Sequence, residues 1–384
     1  MTATDKITPA AELRPAHVIR SDAEAIEIAE SFGAELALGA SQRDKDGGVP
    51  HGIIRRLAET GLLGISVPRA YGGADVSNAT IAEVFRLLAA GDSAIAQLPQ
   101  NHFVFVEVLT LDGTPEQKSF LFSEVLKGAR FGNALSERHS KHVFALTTRL
   151  TRQADGTFRL NGTKYYTTGA LTAQYIPVFA LDDEENLVVA YVDRHAKGVT
   201  ATDDWYAMGQ KATVSGTTAF DDVVVTADRL VPHSRRYETP QVFGAFGQLI
   251  HAAIDVGIAE AALKEGADFI ANQSRPWFES GLERNADEPH ILLRFGQLGV
   301  RFYAAQELLR KAARVLDDSK PNVNAQTAAQ ASLGVAAAKA FAGDAALEIT
   351  NEIFSLSGTR AADDRSNLHR HWRNARTHTL HDPN

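Results

Sequence analysis

The residues best suited to chemistry lie near the carboxyl end of the chain, between residues 371 and 383. Arg373 and Arg376 are three residues apart, as are His378 and His381, so each pair shares one face of a helix that must end before Pro383. Two fixed cations beside two titratable rings suit an anionic cofactor held next to a group that exchanges protons near neutral pH. The alternative is a solvated helix end whose basic residues answer the helix dipole.

The same segment concentrates histidine. Four of the 13 histidines in the chain fall within its last 16 residues, namely His369, His371, His378 and His381. The run His-Thr-Leu-His is a weak metal pattern, and no glutamate stands at metalloprotease spacing. We therefore predict no metal site.

Composition excludes several classes of protein. A chain of 384 residues predicts two or three domains, and its net charge of -8 gives no reason to expect nucleic acid. The longest apolar run, around residues 334–349, is broken by Lys339 and Asp344, so no membrane span is predicted. Residues 1–15 do not resemble a signal peptide, and we expect a cytoplasmic protein. Because the chain has no cysteine, disulfides, thiolate metal sites and a cysteine nucleophile are excluded.

Periodicity divides the chain into three predicted domains. Residues 1–129 carry capping signals at Ser21, Ser77 and Thr114 and predict a helical domain, with one short extended piece at residues 62–67. Residues 130–235 show alternation and a hairpin signal at Asp155-Gly156, which predict a β-barrel-like domain. Residues 236–384 return to helical period in long segments and predict a four-helix bundle.

Nucleotide signatures of the usual kind are missing. No Gly-x-Gly-x-x-Gly follows a predicted strand and no Walker loop occurs, so neither a nicotinamide site nor an NTPase site is indicated. Three other stretches resemble segments of the acyl-CoA dehydrogenase superfamily: residues 131–137 (FGNALSE), 160–169 (LNGTKYYTTG) and 220–225 (FDDVVV). The order helical domain, β domain and four-helix bundle is also that of this superfamily. The resemblance covers nearly the whole chain and implies a flavin cofactor.

The ending of the chain is similar to one branch of that superfamily. Residues 373–383 (RNARTHTLHDP), with Asn101-His102 and Gly358-Thr359-Arg360, resemble the flavin-dependent monooxygenases of the dibenzothiophene monooxygenase and sulfur-acquisition oxidoreductase group. The dehydrogenases need a carboxylate to remove the α-proton of a thioester. In this chain, Arg365 and Gly247 occupy the two positions at which members of the superfamily carry this base, so neither position holds a carboxylate. The monooxygenase branch is therefore favoured.

The resemblance also implies roles for individual residues. FMN, rather than FAD, would arrive reduced from a separate reductase and react with dioxygen to give a flavin hydroperoxide, which must be shielded and hydrogen-bonded. The catalytic residues implied are His102, His378 and His381. The flavin contacts implied are Asn133, Ser136, Tyr166, Thr167, Thr168, Arg275 and Arg360, of which the two arginines would hold the phosphate. For His102 the alternative is a core histidine with both ring nitrogens hydrogen-bonded. Four phenylalanines could either line the substrate pocket or pack in the core: Phe103, Phe105, Phe243 and Phe246.

The prediction is thus a two-component, FMNH2-dependent monooxygenase acting on a small organosulfur or heterocyclic substrate. The expected partners are the substrate, dioxygen and the flavin reductase, with no nucleic acid or membrane, and a homotetramer follows from the family's placement of cofactor sites at subunit contacts. Two alternatives stay open: an acyl-CoA dehydrogenase with a displaced base, and a non-catalytic scaffold or metal-binding module.

Overall fold

The computed structural model describes residues 15–138, 141–142 and 145–381. The amino-terminal part is helical. Its helices are α1 (Asp22–Asp46), α2 (His51–Glu59), α3 (Asn78–Gln97), α4 (Gln100–Asp112) and α5 (Pro115–Leu126).

The predicted capping residues begin the helices of this part. The side chains of Ser21, Ser77 and Thr114 accept hydrogen bonds from backbone N–H groups in the first turns of α1, α3 and α5. Within α3 the backbone leaves helical geometry at Asp92, whose carboxylate accepts from the N–H of Ala94 at 3.1 Å. Asp92 therefore caps the second half of α3.

The segment at residues 62–67 differs from its prediction. It forms a 3-10 helix, Leu62–Gly64, followed by a turn, and not an extended piece. Thr60 accepts a hydrogen bond from Leu62 N, and Gly61 has a φ of 81° that reverses the chain. A short run of buried apolar residues fits a strand or a helical turn equally well, so periodicity could not decide.

The middle part is one mixed sheet of seven strands in the order β5-β6-β2-β1-β3-β4-β7. The strands are β1 (Arg149–Arg152), β2 (Phe158–Lys164), β3 (Tyr175–Leu181), β4 (Leu187–Asp193), β5 (Val199–Thr202), β6 (Thr217–Val225) and β7 (Leu230–Pro232). The Asp155-Gly156 signal correctly placed the antiparallel β1–β2 hairpin. Strand β2 ends at Lys164, where its ammonium pairs at 2.7 Å with the carboxylate of Glu137. This buried pair fixes the segment that follows Phe131 against the sheet.

The carboxyl-terminal part is a helical bundle. Its helices are α6 (Phe243–Asn272), α7 (Pro289–Ser319), α8 (Ala325–Ser357) and α9 (His369–His378). Alanine and glycine line the contacts of α6 with α8 and with α3, and they let the helix axes approach closely. Helix α6 has the length and hydropathy of a membrane span, but 78% of its most apolar window is buried inside the protein. It is the central helix of the core.

The terminal helix α9 is tied to the rest of the molecule by ion pairs. Arg373 pairs with Asp44 of α1 and donates to the carbonyl of Met208 at 2.6 Å. Arg370 and His371 both contact the carboxylate of Glu265 on α6. One short helix therefore joins α1, α6 and the loop before β6.

Candidate active site

The loop that carries Asn133 meets the loop that carries Tyr166 and Thr168, and one buried polar atom at this contact has no hydrogen-bond partner among the described residues. The backbone N–H of Asn133 donates to the carbonyl of Thr168 at 3.0 Å, and its Nδ2 donates to the carbonyl of Tyr166 at 3.2 Å. A β-carbon at Gly132 would lie 2.5 Å from Cα of Ala170, so only glycine permits this approach. Oδ1 of Asn133 is buried without a hydrogen-bond partner among the described residues. It is an acceptor that a bound ligand would satisfy.

The threonine hydroxyls beside it have partners inside the β domain. Thr167 Oγ1 donates to the carbonyl of Gly216 at 2.8 Å, and Thr168 Oγ1 lies 2.7 Å from Oγ of Ser215. Tyr166 is 60% exposed, has a φ of 56° and packs edge-on against Trp205. The structure brings these three predicted residues to one place, and the prediction that they contact a flavin ring stays a prediction.

Ser136 lies on the same loop. Its carbonyl accepts from Tyr165 N at 2.9 Å, which pairs the loop with the end of β2. The neighbouring Glu137 accepts hydrogen bonds from Lys164, Thr147 and Thr148. Burial opposes its ionisation, but these bonds lower the pKa of Glu137 to about 2, while burial lowers the pKa of Lys164 to about 8. The loop that carries Asn133 and Ser136 is thus anchored at a buried charge pair.

Gln210 connects this polar loop region to α9. Its backbone N–H donates to Oδ1 of Asn374 at 2.7 Å, and its carbonyl accepts from the indole of Trp205 at 3.0 Å. A β-carbon at Gly209 would lie 2.1 Å from the carbonyl oxygen of Arg373, so the loop presses directly on α9. Both polar atoms of the Gln210 side chain are buried without partners among the described residues. The backbone of Gln210 thus meets α9 at Asn374, one turn before His378, and its side chain is a second unfilled hydrogen-bonding group.

The end of α9 forms a buried relay of polar side chains. His378 Nδ1 lies 2.6 Å from Oδ1 of Asp255, and His378 Nε2 lies 3.0 Å from Nδ1 of His251. Because a carboxylate only accepts, the proton lies on Nδ1 of His378, and His251 donates from its own Nδ1. The exposed ring of His381 stacks on His251 with 4.3 Å between ring centroids. Hydrogen bonds therefore link Asp255, His378 and His251 in one buried group, and the His381 ring lies against the last of them.

His102 has a different environment. Its Nε2–H donates to the carbonyl of Leu63 at 2.9 Å, and its Nδ1 accepts from the N–H of Phe131 at 3.0 Å. Burial lowers the pKa of His102 to about 4, so the ring is neutral at physiological pH. With both nitrogens bonded to backbone groups, it has the geometry of the satisfied core histidine that the sequence left as an alternative. We therefore assign it no proton transfer.

The two predicted phosphate ligands lie together at the other end of α6. Arg360 NH1 donates to the carbonyl of Gln273 at 2.8 Å, and Ser274 of the same loop donates to the carbonyl of Ser357. Arg275 and Arg360 are both exposed. The helical segment from His251 to Asn272 spans about 30 Å. That distance is longer than FMN, so these arginines cannot reach the phosphate of a flavin whose ring lies beside His251 of the same chain.

The phenylalanines proposed for the pocket belong to the cores. Phe103 packs edge-on against Phe85 at 5.1 Å, and Phe105 lies 5.8 Å from Phe179. Phe243 and Phe246 are also buried in the two large core clusters. Packing accounts for these four rings.

Several site residues were missed by the sequence reasoning, above all His251 and Asp255. They stand four apart on α6, in a segment that is otherwise almost entirely apolar. A pair of polar residues on one face of an otherwise apolar helix is the pattern that could have identified them. The residues of the loop before β6, such as Gln210, gave no comparable pattern.

The residues present fit the polar edge of a flavin ring. Hydrogen bonds through Thr168, Ser215 and Thr213 connect Asn133 to Gln210. The free carbonyl oxygen of Asn133 and the free amide of Gln210 provide an acceptor and a donor, which suits the alternating carbonyl and N–H groups of that edge. Within the described part of the chain, no three His, Asp or Glu side chains form a group that could hold a metal ion.

Comparison with known proteins identifies relatives over nearly the whole chain. Family models described as the N-terminal, middle and C-terminal domains of acyl-CoA dehydrogenase match residues 24–129, 133–223 and 249–383. A dibenzothiophene monooxygenase of Rhodococcus erythropolis is 31% identical, as is the probable FMNH2-dependent monooxygenase SfnC of Pseudomonas putida; each alignment covers 94% of this chain and 91% of the relative. The crystal structure of FMN-bound TdsC from Paenibacillus sp. A11-2 is similar with a TM-score of 0.89 and 28% identity, over 94% of both chains.

Proposed function

Because this chain belongs to the acyl-CoA dehydrogenase family, in its flavin-dependent monooxygenase branch, we propose that it is an FMNH2-dependent monooxygenase that oxygenates a small organosulfur or heterocyclic substrate. The observation that carries the proposal is the hydrogen-bonded group Asp255–His378–His251, which lies one turn of α9 after Asn374, the residue that accepts a hydrogen bond from the backbone of Gln210. We take this group as the proton source of the flavin site.

Bound reduced FMN supplies the electrons that activate dioxygen. The chain supplies position and protons. Asn133 Oδ1 and the Gln210 amide would hold the polar edge of the ring, and the closely packed loops around Gly132 and Gly209 would exclude water from it. Asp255 fixes the tautomer of His378, which accepts a hydrogen bond from His251, and the exposed imidazole of His381 beside His251 would be the proton donor. A proton donor held in a fixed position favours transfer of oxygen to the substrate over the release of hydrogen peroxide.

We place the FMN phosphate on a second copy of the chain. Since about 30 Å of helix separates His251 from the loop that holds Arg275, these arginines serve a neighbouring subunit's cofactor. The exposed apolar side chains Trp277, Phe278 and Tyr303 lie on or near this loop and on α7, where a neighbour would cover them. We therefore keep the homotetramer as part of the proposal.

A separate reductase completes the system, since the sequence offers no nicotinamide site. A cytoplasmic location is part of the same proposal.

The test is to combine the purified protein with FMN, a flavin reductase, NADH and air. We expect the protein to bind FMN stoichiometrically. When dibenzothiophene or a small sulfone is added, we expect an oxygenated product, and its amount is compared with the amount of hydrogen peroxide released. Bleaching of bound flavin by an acyl-CoA, with no oxygenated product, would show a dehydrogenase instead. Absence of flavin binding would leave a non-catalytic scaffold.

A further inference from the structure

A cavity with polar walls lies where α1, α3, α6 and α9 meet the loop before β6. Helix α3 leaves helical geometry at Asp92, and residues 91–94 around this kink form one wall. Arg43 of α1, Lys211 of the loop and Arg370 of α9 bring positive charge to the other walls. None of the described residues that we assign to the flavin or to proton supply lines this cavity, so its role is separate from theirs.

Three hydrogen-bond donors in these walls have no acceptor. Ser93 and Asn374 are only 6% and 7% exposed, yet the Ser93 hydroxyl and Nδ2 of Asn374 form no hydrogen bond in the described part of the chain. Nζ of the half-buried Lys211 likewise forms neither a hydrogen bond nor an ion pair with any described residue. Because enclosed polar groups are normally hydrogen-bonded, the three donors indicate a ligand that accepts hydrogen bonds.

The two carboxylates in the walls already have other partners. Asp92 accepts from Nε of Arg43 at 2.8 Å and from two backbone N–H groups of the turn that follows it. Asp44 accepts from Nη1 of Arg373 at 3.1 Å and from Nδ2 of Asn367 at 3.0 Å. Neither carboxylate is hydrogen-bonded to any of the three free donors.

The charges of the cavity do not balance. Each arginine and each carboxylate in its described walls belongs to an ion pair, which leaves Lys211 as the unpaired charge. Lys211 acts electrostatically on Asp44, but Arg373 already neutralises that carboxylate. Burial lowers the pKa of His371, so this ring adds no charge at neutral pH. Water would satisfy the donors, whereas an anion would also balance the charge.

We propose that this cavity binds one small inorganic anion, such as chloride, sulfate or phosphate, through Lys211, Ser93 and Asn374. The cavity is small, so a single ion fits and an organic phosphate does not. The anion would join α3, α9 and the loop before β6. Because Asn374 also accepts from the backbone of Gln210, anion binding would strengthen the contact between this loop and α9. The proposal does not depend on the monooxygenase activity.

The test uses the FMN-bound protein, in which the site for the cofactor phosphate is filled. Equilibrium dialysis with radiolabelled chloride, sulfate or phosphate, at constant ionic strength with gluconate as the balancing anion, measures the number of ions bound per chain. We expect one of the three to bind saturably at one ion per chain and to raise the Tm by about 3 °C at about 100 times its Kd. Absence of saturable binding for all three, or binding of many ions per chain, would overturn the proposal.

The variant Lys211→Met tests the position of the anion. Methionine keeps the length of the side chain and removes its charge, so anion affinity should fall at least about 10-fold and the rise in Tm should be lost. Lys197→Met, at an exposed lysine of the same domain, is the matched control and should bind the anion normally. Unchanged binding in Lys211→Met would refute the assignment.

Two further variants keep the proposal testable. Arg360→Ala should leave the stoichiometry of anion binding unchanged, and loss of the bound ion there would place it at the proposed phosphate site instead. If Lys211→Met does not fold, Lys211→Arg and Ser93→Ala decide, because the first keeps the charge and should retain the anion, while the second removes a hydroxyl donor and should weaken its binding. The opposite result for either variant would contradict the proposal.

Discussion

Nδ1 of His378 lies 2.6 Å from Oδ1 of Asp255, and each of these side chains is only 2% exposed. A histidine held in this way has one tautomer and one ring orientation, because the carboxylate accepts and never donates. His378 therefore presents a lone pair to His251, and Asp255 determines which nitrogen of each of these two rings carries the proton.

Replacing Asp255 by Asn should disturb the proton supply without removing the flavin. The amide can donate to Nδ1 and so favour the wrong tautomer of His378. We expect product formation per NADH to fall at least about 10-fold, with hydrogen peroxide release rising and FMN affinity nearly unchanged. The pH profile of coupling should change as well, which a merely structural defect would not cause. Asp344→Asn, on the exposed face of α8, is the control.

Replacing His381 by Ala should uncouple the enzyme. The exposed ring stacks on His251, so its loss removes the outer member of the relay and leaves the buried Asp255–His378 pair in place. The expected result is more hydrogen peroxide per NADH at nearly intact FMN binding, measured with a peroxide assay under turnover. Unchanged coupling would remove His381 from the catalytic residues.

Replacing Arg360 by Ala should weaken FMN binding. Losing a charge-assisted bond to the phosphate costs about 1.5–3 kcal/mol, or roughly 10-fold to 150-fold in affinity. Because the phosphate is assigned to a neighbouring copy, FMN affinity of the wild-type protein should also fall when dilution dissociates the assembly. Arg365→Ala, whose side chain is exposed and pairs with Asp363, should change neither quantity. Unaltered affinity in the Arg360 variant would place the phosphate elsewhere.

Replacing His102 by Ala should lower stability and spare the chemistry. The change leaves the Leu63 carbonyl and the Phe131 N–H unpaired in the core, at a cost of about 2–5 kcal/mol. Thermal unfolding should show the loss, while coupling per FMN-bound protein should stay at the wild-type level. Increased peroxide release from folded, FMN-bound protein would return His102 to the catalytic residues.

Replacing Glu137 by Gln should change acid stability. Its pKa is about 2 in the folded protein against 4.5 in the unfolded chain, so its ionised form stabilises the fold fully above pH 4.5. That contribution is lost as the pH falls from 4.5 toward 2. The variant should be less stable at neutral pH and should lose less stability over this acid range, as urea unfolding at several pH values would measure. Parallel curves for both proteins would contradict the assignment.

Local signals predicted much of the fold. Caps at Ser21, Ser77 and Thr114 and the hairpin at Asp155-Gly156 depend only on neighbouring residues, and the structure confirms them. The prediction for residues 62–67 was wrong because a short run of buried apolar residues fits a strand and a helical turn equally well. The predicted domain limits at residues 129 and 235 remain predictions.

The site was harder to predict for a physical reason. The motif at residues 373–383 located His378, but its partners Asp255 and His251 lie more than a hundred residues away, and only packing of α9 on α6 joins them. Arg373, which suggested an anion site, is instead neutralised by Asp44 of α1. Types and spacing identify candidate groups, whereas tertiary contacts decide which are free to act.

The thirty residues of α6 carry His251 near one end and lead into the Arg275 loop at the other. If each copy contributes imidazoles to its own active site and guanidinium groups to the active site of a neighbouring copy, no single chain contains a complete active site. A mixed assembly would combine one variant that lacks the imidazoles with another that lacks the guanidinium groups. Some of its active sites would then contain neither substitution, so two inactive preparations would regain turnover when their subunits exchange.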